Sequence, residues 1–435
     1  MLKFKIETWG CQMNEYDSQK MAGLLKAAGH FETQQDRDAD VIVLNTCSVR
    51  EKAAHKLYSR LGMLWKRYGA DKILGVCGCV ASQDAKTVIE RAPFVRFVLG
   101  TRSVHFLVKA IEAAQAGNRF VETGDHRESM DFSPTVIDRA GSTKAYIAIM
   151  QGCDNYCTYC VVPYTRGREQ SRPLTDILVE AREAVENRGV VEIELLGQNV
   201  NSYREGSHRF VDVLHAVSEI SGVLRVRFMT SHPKDFDEEL AALMASRENI
   251  CNYLHLPIQS GSDAILKRMG RKYTREDYME KIRVVRNHLP GIVLSSDFIV
   301  GFPGETEADF EQTMDVIRTV QYDNVFSFKY SPRPGTAALR LKEDEVTDRT
   351  AGRRLTELQR TQEDIQSEKH HRMIGSTVSV LVESVSKRDA TRLTARTEGN
   401  HVVHFQAGRG VSLLGRIVPV RITSATMASL GGELV

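Results

Sequence analysis

Three thiols stand within eight residues of one another, in the run Gln151-Gly152-Cys153-Asp154-Asn155-Tyr156-Cys157-Thr158-Tyr159-Cys160. The spacing C-x₃-C-x₂-C lets three thiolates converge on one inorganic centre. An iron–sulfur cube takes four ligands, so three thiolates hold it and leave one iron open to another molecule. A cluster built only for electron transfer closes that position with a fourth cysteine. The competing readings are a zinc knot and three unrelated core cysteines. Zinc needs a fourth ligand close by, and no histidine falls between Tyr146 and Arg172.

A second set of thiols emerges from the elements that must position them. Lys3 to Thr8 reads as a strand, Cys11 follows in a loop, and Asn14 to Ala28 has helical spacing with Asn14 as its cap. Val41 to Leu44, Cys47 and the helical stretch Val49 to Trp65 repeat that order, as do Lys72 to Val76, Cys79 and a helix to Glu90. Strands alternating with helices make a doubly wound parallel sheet, in which the loops after the strands open on one edge. Three cysteines distant in sequence thus come to one edge, behind which helix N-termini favour thiolates. The alternative is three ordinary buried cysteines. Cys77 competes with Cys79 for the third place. It sits where the strand ends, whereas Cys11 and Cys47 lie two or three residues past theirs, so Cys79 is preferred, and Cys77 and Cys251 are read as packed cysteines.

Residues 117 to 143 show little periodicity and read as a connection. The strand–helix alternation then resumes, with strands expected at Ala145–Met150, Val191–Leu196, Arg225–Thr230, Tyr253–Ile258, Val293–Val300 and Val325–Tyr330. Six parallel strands are too few for a closed eight-stranded barrel, so an open (β/α)₆ barrel is expected, with its chemistry at the C-terminal strand ends. The cysteine run falls at such an end. So do Gln198 and Asn199, either turn residues or ligand contacts; His232, before a proline; Ser260-Gly261-Ser262, which can cap the helix from Asp263; and Gly301 and Gly304, which either let the backbone approach a ligand or make tight turns. Arg166, Arg168 and Arg172 follow the cysteine run and form either a solvated face or a set of phosphate contacts. Glu343 to His370 reads as a long closing helix.

Residues 372–435 alternate in polarity with Gly turns, which implies a small β-barrel. The segment holds eight Lys plus Arg, including Arg388, Arg392 and Arg396, against four acids. It is either an RNA handle or a solubilising face. The whole chain of 435 residues has a formal net charge of only +2, with 42% hydrophobic and 26% charged residues, as in ordinary globular proteins. No apolar run is long enough to span a bilayer, and Met1 to Ile6 lacks a signal peptide's apolar core. Eight cysteines without a secretion signal point to a reducing, cytoplasmic setting.

The cysteine run, with Tyr159 at the aromatic place before its last Cys, resembles the signature of the radical S-adenosylmethionine (SAM) enzymes. Together with the three separated cysteines ahead of it and the small barrel behind it, the chain resembles the methylthiotransferases over essentially its whole length. The resemblance implies an N-terminal methylthiotransferase domain (1–118), a linker (119–138), a radical-SAM core (139–369) and a C-terminal TRAM barrel that binds RNA (372–435). It implies that Cys153, Cys157 and Cys160 hold a SAM-binding 4Fe-4S cluster, with Tyr159, Gln198, Asn199, Gly301 and Gly304 near SAM, and that Cys11, Cys47 and Cys79 hold an auxiliary 4Fe-4S cluster. Family members use one SAM to methylate a sulfur carried on the auxiliary cluster and a second as the source of a radical that abstracts hydrogen from substrate. No protein side chain is assigned as catalytic, because the clusters and SAM carry the chemistry.

Three branches of the family compete. They act on carbon-2 of N6-(dimethylallyl)adenosine at position 37 in the tRNA anticodon loop, on threonylcarbamoyladenosine of tRNA, and on an aspartate of a ribosomal protein. Val162 to Arg172, His255 to Ser262 and Met269 to Thr274 look most like the first. Gly78-Cys79-Val80-Ala81-Ser82-Gln83 departs slightly from the commoner pattern by a Ser between Ala and Gln, away from the ligand. The expected partners are the anticodon stem-loop, contacted by Arg166, Arg168, Arg172, Arg388, Arg392 and Arg396, and an external electron donor; a monomer without membrane association is expected. The non-enzyme alternatives are an iron–sulfur or zinc RNA-binding protein and an electron-transfer protein.

Overall fold

The structure, a computed structural model, describes all residues except 49–50, 127–136, 140, 342–343, 387–388 and 407–411. The chain begins with a six-stranded parallel sheet. Its strands are β1 (Lys3–Trp9), β2 (Phe31–Glu32), β3 (Val41–Thr46), β4 (Ile73–Gly78), β5 (Phe97–Leu99) and β6 (Phe120–Glu122), in the spatial order β2-β1-β3-β4-β5-β6. Every residue of β3 is buried, as a central strand covered by helices on both faces requires. The covering helices are α1 (Gln12–Ala27), α2 (Glu51–Tyr68), α3 (Cys79–Arg91) and α4 (Leu107–Gln115). The strand order reverses between β1 and β3, so a crevice opens beyond their C-terminal ends.

Six further parallel strands form the core: Lys144–Ala148, Glu192–Leu196, Arg225–Phe228, Tyr253–His255, Val293–Val300 and Asn324–Lys329. They pair as two three-stranded sheets, joined through a parallel bridge between Val226 and Ile250. The expected open six-stranded barrel is therefore present, with a break between its third and fourth strands. Alternation assigns its two faces. Ala145, Ile147, Ile193, Leu195, Val226 and Phe228 join the apolar core beneath the helices. The residues between them include Lys144, Glu192, Glu194, Arg225 and Arg227, which make the inner face polar. Lys144 Nζ lies 3.2 Å from Glu194, and Arg227 Nε 3.6 Å from Glu192.

The long closing helix runs from Asp348 to Arg372, capped by the Thr347 side chain. Polar, helical spacing in the sequence extends it back to Glu343. Asp344 instead belongs to the preceding segment, where its carbonyl accepts from Gly304 N and its carboxylate pairs with Arg268.

Residues 377–434 close a five-stranded barrel from strands Thr377–Val385, Arg392–Thr397, Val402–Gln406, Leu430–Leu434 and Ile417–Ala425, in that order. Two buried core arginines dock it. Arg225 donates to the carbonyls of Arg396 (2.7 Å) and Ser379 (2.9 Å), and Arg227 to those of Glu398 (2.8 Å) and Thr397 (3.2 Å). The barrel thus presents backbone oxygens, rather than its basic side chains, to the core.

Candidate functional site

Cys11, Cys47 and Cys79 meet at the C-terminal edge of β1, β3 and β4. Cys11 is the N-cap of α1, Cys47 follows β3 directly, and Cys79 is the first residue of α3. Gly78 makes that last junction at φ +91°, and a Cβ there would lie 2.3 Å from Asn45 Oδ1. Asn14 is not a helix cap. It is fully buried, and its Nδ2 donates to Asn45 Oδ1 (3.2 Å) while Asn45 Nδ2 donates to the Asn14 carbonyl (2.8 Å). This reciprocal pair fixes the loop carrying Cys11 against the end of β3.

Hydrogen bonds link the three thiols with Cys47 in the middle. The bond to Cys47, the Arg166 guanidinium and the backbone N–H groups of Asn14 and Met13 draw Cys11 down to about 6 against the opposing effect of burial. The same bond and Arg166 draw Cys79 to about 7. Cys47 is pushed up, because it holds the shared protons. Two thiols ready to ionise beside a buried cation suit an inorganic acceptor of thiolates. Cys77 points away into the apolar core with its thiol pushed up by burial, and Cys251 is buried likewise.

The second set lies on a hairpin-like loop after the first core strand. Met150–Gln151 pairs antiparallel with Gln170–Ser171, closing the loop at its base. Each thiol meets an N–H donor: Asn155 Nδ2 to Cys153 (3.5 Å), Arg271 Nη1 to Cys157 (3.4 Å), and the backbone N–H of Val162 to Cys160 (3.4 Å). Hydrogen bonds of this kind to cysteine sulfur tune iron–sulfur centres. Burial pushes Cys153 up and Cys160 up to about 12, so these thiols need a metal's charge to stay ionised. Among the described residues no three His, Cys, Asp or Glu side chains close around a single metal ion. Three thiolates that each bind a different iron of a cube have no need to.

Gly152 sits at φ +83°, and a Cβ there would lie 2.1 Å from the Arg168 carbonyl oxygen. Gly152→Ala combines a left-handed backbone, costing about 1–2 kcal/mol, with a clash against backbone. If the loop holds the SAM-binding cluster its resemblance implies, the expected result is a large loss of reductive SAM cleavage, read as 5′-deoxyadenosine released under strong reductant.

The other expected site residues divide. Gln198 Oε1 accepts from Gly152 N, and Asn199 Nδ2 donates to Asp235 (2.7 Å) while its Oδ1 is buried without a partner. Tyr159 packs edge-on against Phe302, with ring centroids 6.4 Å apart. At Gly301 and Gly304 the direction a side chain would take is filled by Ala351 (2.5 Å from a Cβ) and Arg268 (2.8 Å), so packing requires glycine at both. Ser262 caps the following helix and His232 accepts from Lys234 N, so both are local turn residues.

Two of the arginines expected to contact RNA, Arg166 and Arg172, need correction. Arg166 is buried and pairs with Asp17 of α1 at 2.9 Å. Arg172 is fully buried against Glu180. Neither faces solvent, where a phosphate would lie. Arg168 does, paired with Asp154 at 3.1 Å. Arg396 is committed to Glu383 (3.1 Å) and Asn400, Arg392 donates to the His404 carbonyl (3.3 Å), and Arg388 lies outside the described residues. Sequence reasoning missed Arg271, although it stands in the Met269 to Thr274 stretch, and missed Asp17, which carries no motif.

The two cysteine sites are bound to each other. The segment just after the Cys153–Cys160 loop is gripped by the N-terminal unit. Thr101 Oγ1 donates to the Thr165 carbonyl (2.7 Å), and Arg102 donates to the carbonyls of Arg166 (2.8 Å) and Arg168 (2.7 Å).

Family models match three stretches: the radical SAM superfamily at residues 147–317, the uncharacterized protein family UPF0004 at 3–100, and the TRAM domain at 371–435. A tRNA-2-methylthio-N(6)-dimethylallyladenosine synthase of Geobacter metallireducens is 46% identical over 436 residues, spanning 99% of this chain and 97% of that protein. Proteins of the same name from Alteromonas mediterranea (46% identical; 100% and 92% covered) and Sulfurihydrogenibium sp. (43%; 100% and 99%) are similar over the same extent. In fold, the chain is similar to the radical SAM methyltransferase TsrM of Kitasatospora setae, with a TM-score of 0.55 at 15% identity over 75% of this chain and 73% of that one. Two thiol sets on adjoining strand-end edges, an open six-stranded core and a five-stranded barrel, with this likeness over the full length, place the chain in the tRNA-2-methylthio-N(6)-dimethylallyladenosine synthase family of radical SAM methylthiotransferases.

Proposed function

We propose that the protein adds a methylthio group to carbon-2 of N6-(dimethylallyl)adenosine in the tRNA anticodon loop, in the cytoplasm, with electrons from an external donor. The observation that carries this reading is the pair of three-thiol sites on adjoining edges, each able to supply three of the four ligands of an iron–sulfur cube. Cys153, Cys157 and Cys160 would hold one 4Fe-4S cluster and Cys11, Cys47 and Cys79 the other. Together with SAM, these groups supply hydrogen abstraction and a methylated sulfur.

The chain's own residues bind and orient. Asn155, Arg271 and Val162 N–H steady the core thiolates, and Gln198 pins Gly152. Asn199 Oδ1, buried and unpartnered after the second core strand, would accept a hydrogen bond from SAM. Phe326 and Phe328 offer apolar contact for the dimethylallyl group. They are 39% and 46% exposed on the sixth core strand, on the face opposite Ser327, which meets the closing helix through Gln359. Phe326 stands edge-on to His255 at 6.0 Å. An anticodon-loop base is unpaired, so splaying it into such a pocket costs little unstacking energy. Arg168, exposed beside the cysteine loop, is the phosphate contact this reading retains. No helix among the described residues is long and apolar enough to cross a membrane.

The test is anaerobic. The protein is reconstituted with iron and sulfide, given SAM and reductant, and offered tRNA with or without the dimethylallyl group. Digested RNA is then searched for 2-methylthio nucleosides by mass spectrometry. Product from the prenylated tRNA alone is expected. Product only from tRNA bearing threonylcarbamoyladenosine would move the chain to the neighbouring branch.

A further inference from the structure

Arg166 lies six residues beyond Cys160, at the end of the short helix Val162–Thr165, where its N–H donates to the Val162 carbonyl at 2.8 Å. By sequence it belongs to the core's cysteine loop, but its side chain belongs to the other site. The guanidinium is buried, with Nη2 held by Asp17 of α1 and with Cys11 and Cys79 close enough to feel its charge. Its Nη1 is buried and has no hydrogen-bond partner. An unmet buried donor is costly, above all on a charged group, so a site that retains one is built for an acceptor that completes it. The core site shows the completed form, because Arg271 Nη1 there donates to Cys157 Sγ at 3.4 Å.

Resting on the assignment of Cys11, Cys47 and Cys79 as cluster ligands, we infer that Arg166 is a positioning residue that donates Nη1 to a sulfur of the group held by those three cysteines. The cysteine loop of the core thereby supplies a hydrogen bond to the auxiliary site. Lysine cannot replace it, because a single compact ammonium lacks the planar fork that reaches Asp17 and a sulfur together. The carbonyl of the same residue is gripped by Arg102, so the N-terminal unit sets both ends of Arg166. The competing account is that Arg166 serves only to neutralise buried Asp17.

The test uses full-length protein carrying Cys153→Ala, Cys157→Ala and Cys160→Ala, so that only the N-terminal site can load a cluster. Iron and sulfide content, the reduction midpoint and the electron paramagnetic resonance spectrum of the reduced cluster are measured in this background, with Arg166→Met plus Asp17→Asn, and with Arg166→Lys. The double change removes one charge of each sign, so a shift in midpoint reports the lost hydrogen bond and not a net charge. The expected result is one loaded cluster in each protein, a midpoint shifted to more negative potential in the double variant, and altered g values in both variants. Unchanged midpoint and spectrum in loaded variants would show that Arg166 only neutralises Asp17. Should the double variant fail to load, Arg166→Lys decides, and an unchanged spectrum there overturns the inference. Failure of the background protein itself to load a cluster would instead overturn the ligand assignment.

Discussion

Alanine in place of Cys153, Cys157 or Cys160 is expected to abolish both reductive SAM cleavage and methylthio transfer. Alanine in place of Cys11, Cys47 or Cys79 is expected to abolish transfer alone. The separation follows from how the sites are built. The donors that steady the core thiols come from Asn155, Val162 and Arg271, all on the core. The three N-terminal thiols are held by the starts of α1 and α3 and by the Asn14–Asn45 pair. Loss of one N-terminal thiol removes none of the hydrogen bonds that order the core loop, so 5′-deoxyadenosine should still form at a rate within a few-fold of the parent. Cys77→Ala serves as the control. Cys77 packs in the apolar core beneath the sheet, and its loss should cost stability without stopping transfer. Sustained product from Cys47→Ala over many turnovers would remove the auxiliary site from the mechanism.

The thiols were legible in the sequence because their chemistry depends on spacing and on position after a strand, and both survive in one dimension. The core strands were legible for a similar reason: apolar residues recur along each, singly or in a run, ahead of turn residues. Strands β2, β5 and β6 were not, since two or three residues cannot display a period. Arg166 and Arg172 were misread for a physical reason. A cluster of cations resembles a solvated face unless its counter-charges are known. Asp17 lies 149 residues before Arg166 and is brought to it only by the packing of α1 against the core. Arg225 and Arg227 gave no signal either, because their partners are backbone carbonyls of the small barrel, to which any sequence contributes equally. Gly301 and Gly304 fit two readings in the sequence, because Ala351 and Arg268, which fill the spaces beside them, are distant along the chain.

Glu180→Ala is expected to destabilise the protein by about 3–5 kcal/mol, the cost of leaving a buried charge without its partner. Glu180 is fully buried between Arg139 and Arg172, whose side chains are also fully buried and pair with opposite oxygens of its carboxylate. Tyr16 of α1 donates to the same carboxylate at 3.4 Å. The carboxylate thus joins the first helix of the N-terminal unit, the residue at the entry to the core, and Arg172, which ends the cysteine loop. Arg172 also donates to the Ala148 carbonyl (3.3 Å), and its own carbonyl accepts from the Tyr203 hydroxyl (2.6 Å). Removing Glu180 strands two guanidinium groups in the interior and frees the exit of the loop that presents Cys153 to Cys160. The urea midpoint followed by circular dichroism should therefore fall, and cluster retention on dilution should fall with it. Replacing all three charges together, as Arg139→Met, Glu180→Leu and Arg172→Met, should recover most of the lost stability, because no charge then remains to be desolvated. A wild-type midpoint for Glu180→Ala would mean that water reaches the two arginines, contrary to their burial here. Recovery of stability without recovery of cluster retention would instead show that the carboxylate and its arginines fix the loop's geometry as well as its energy.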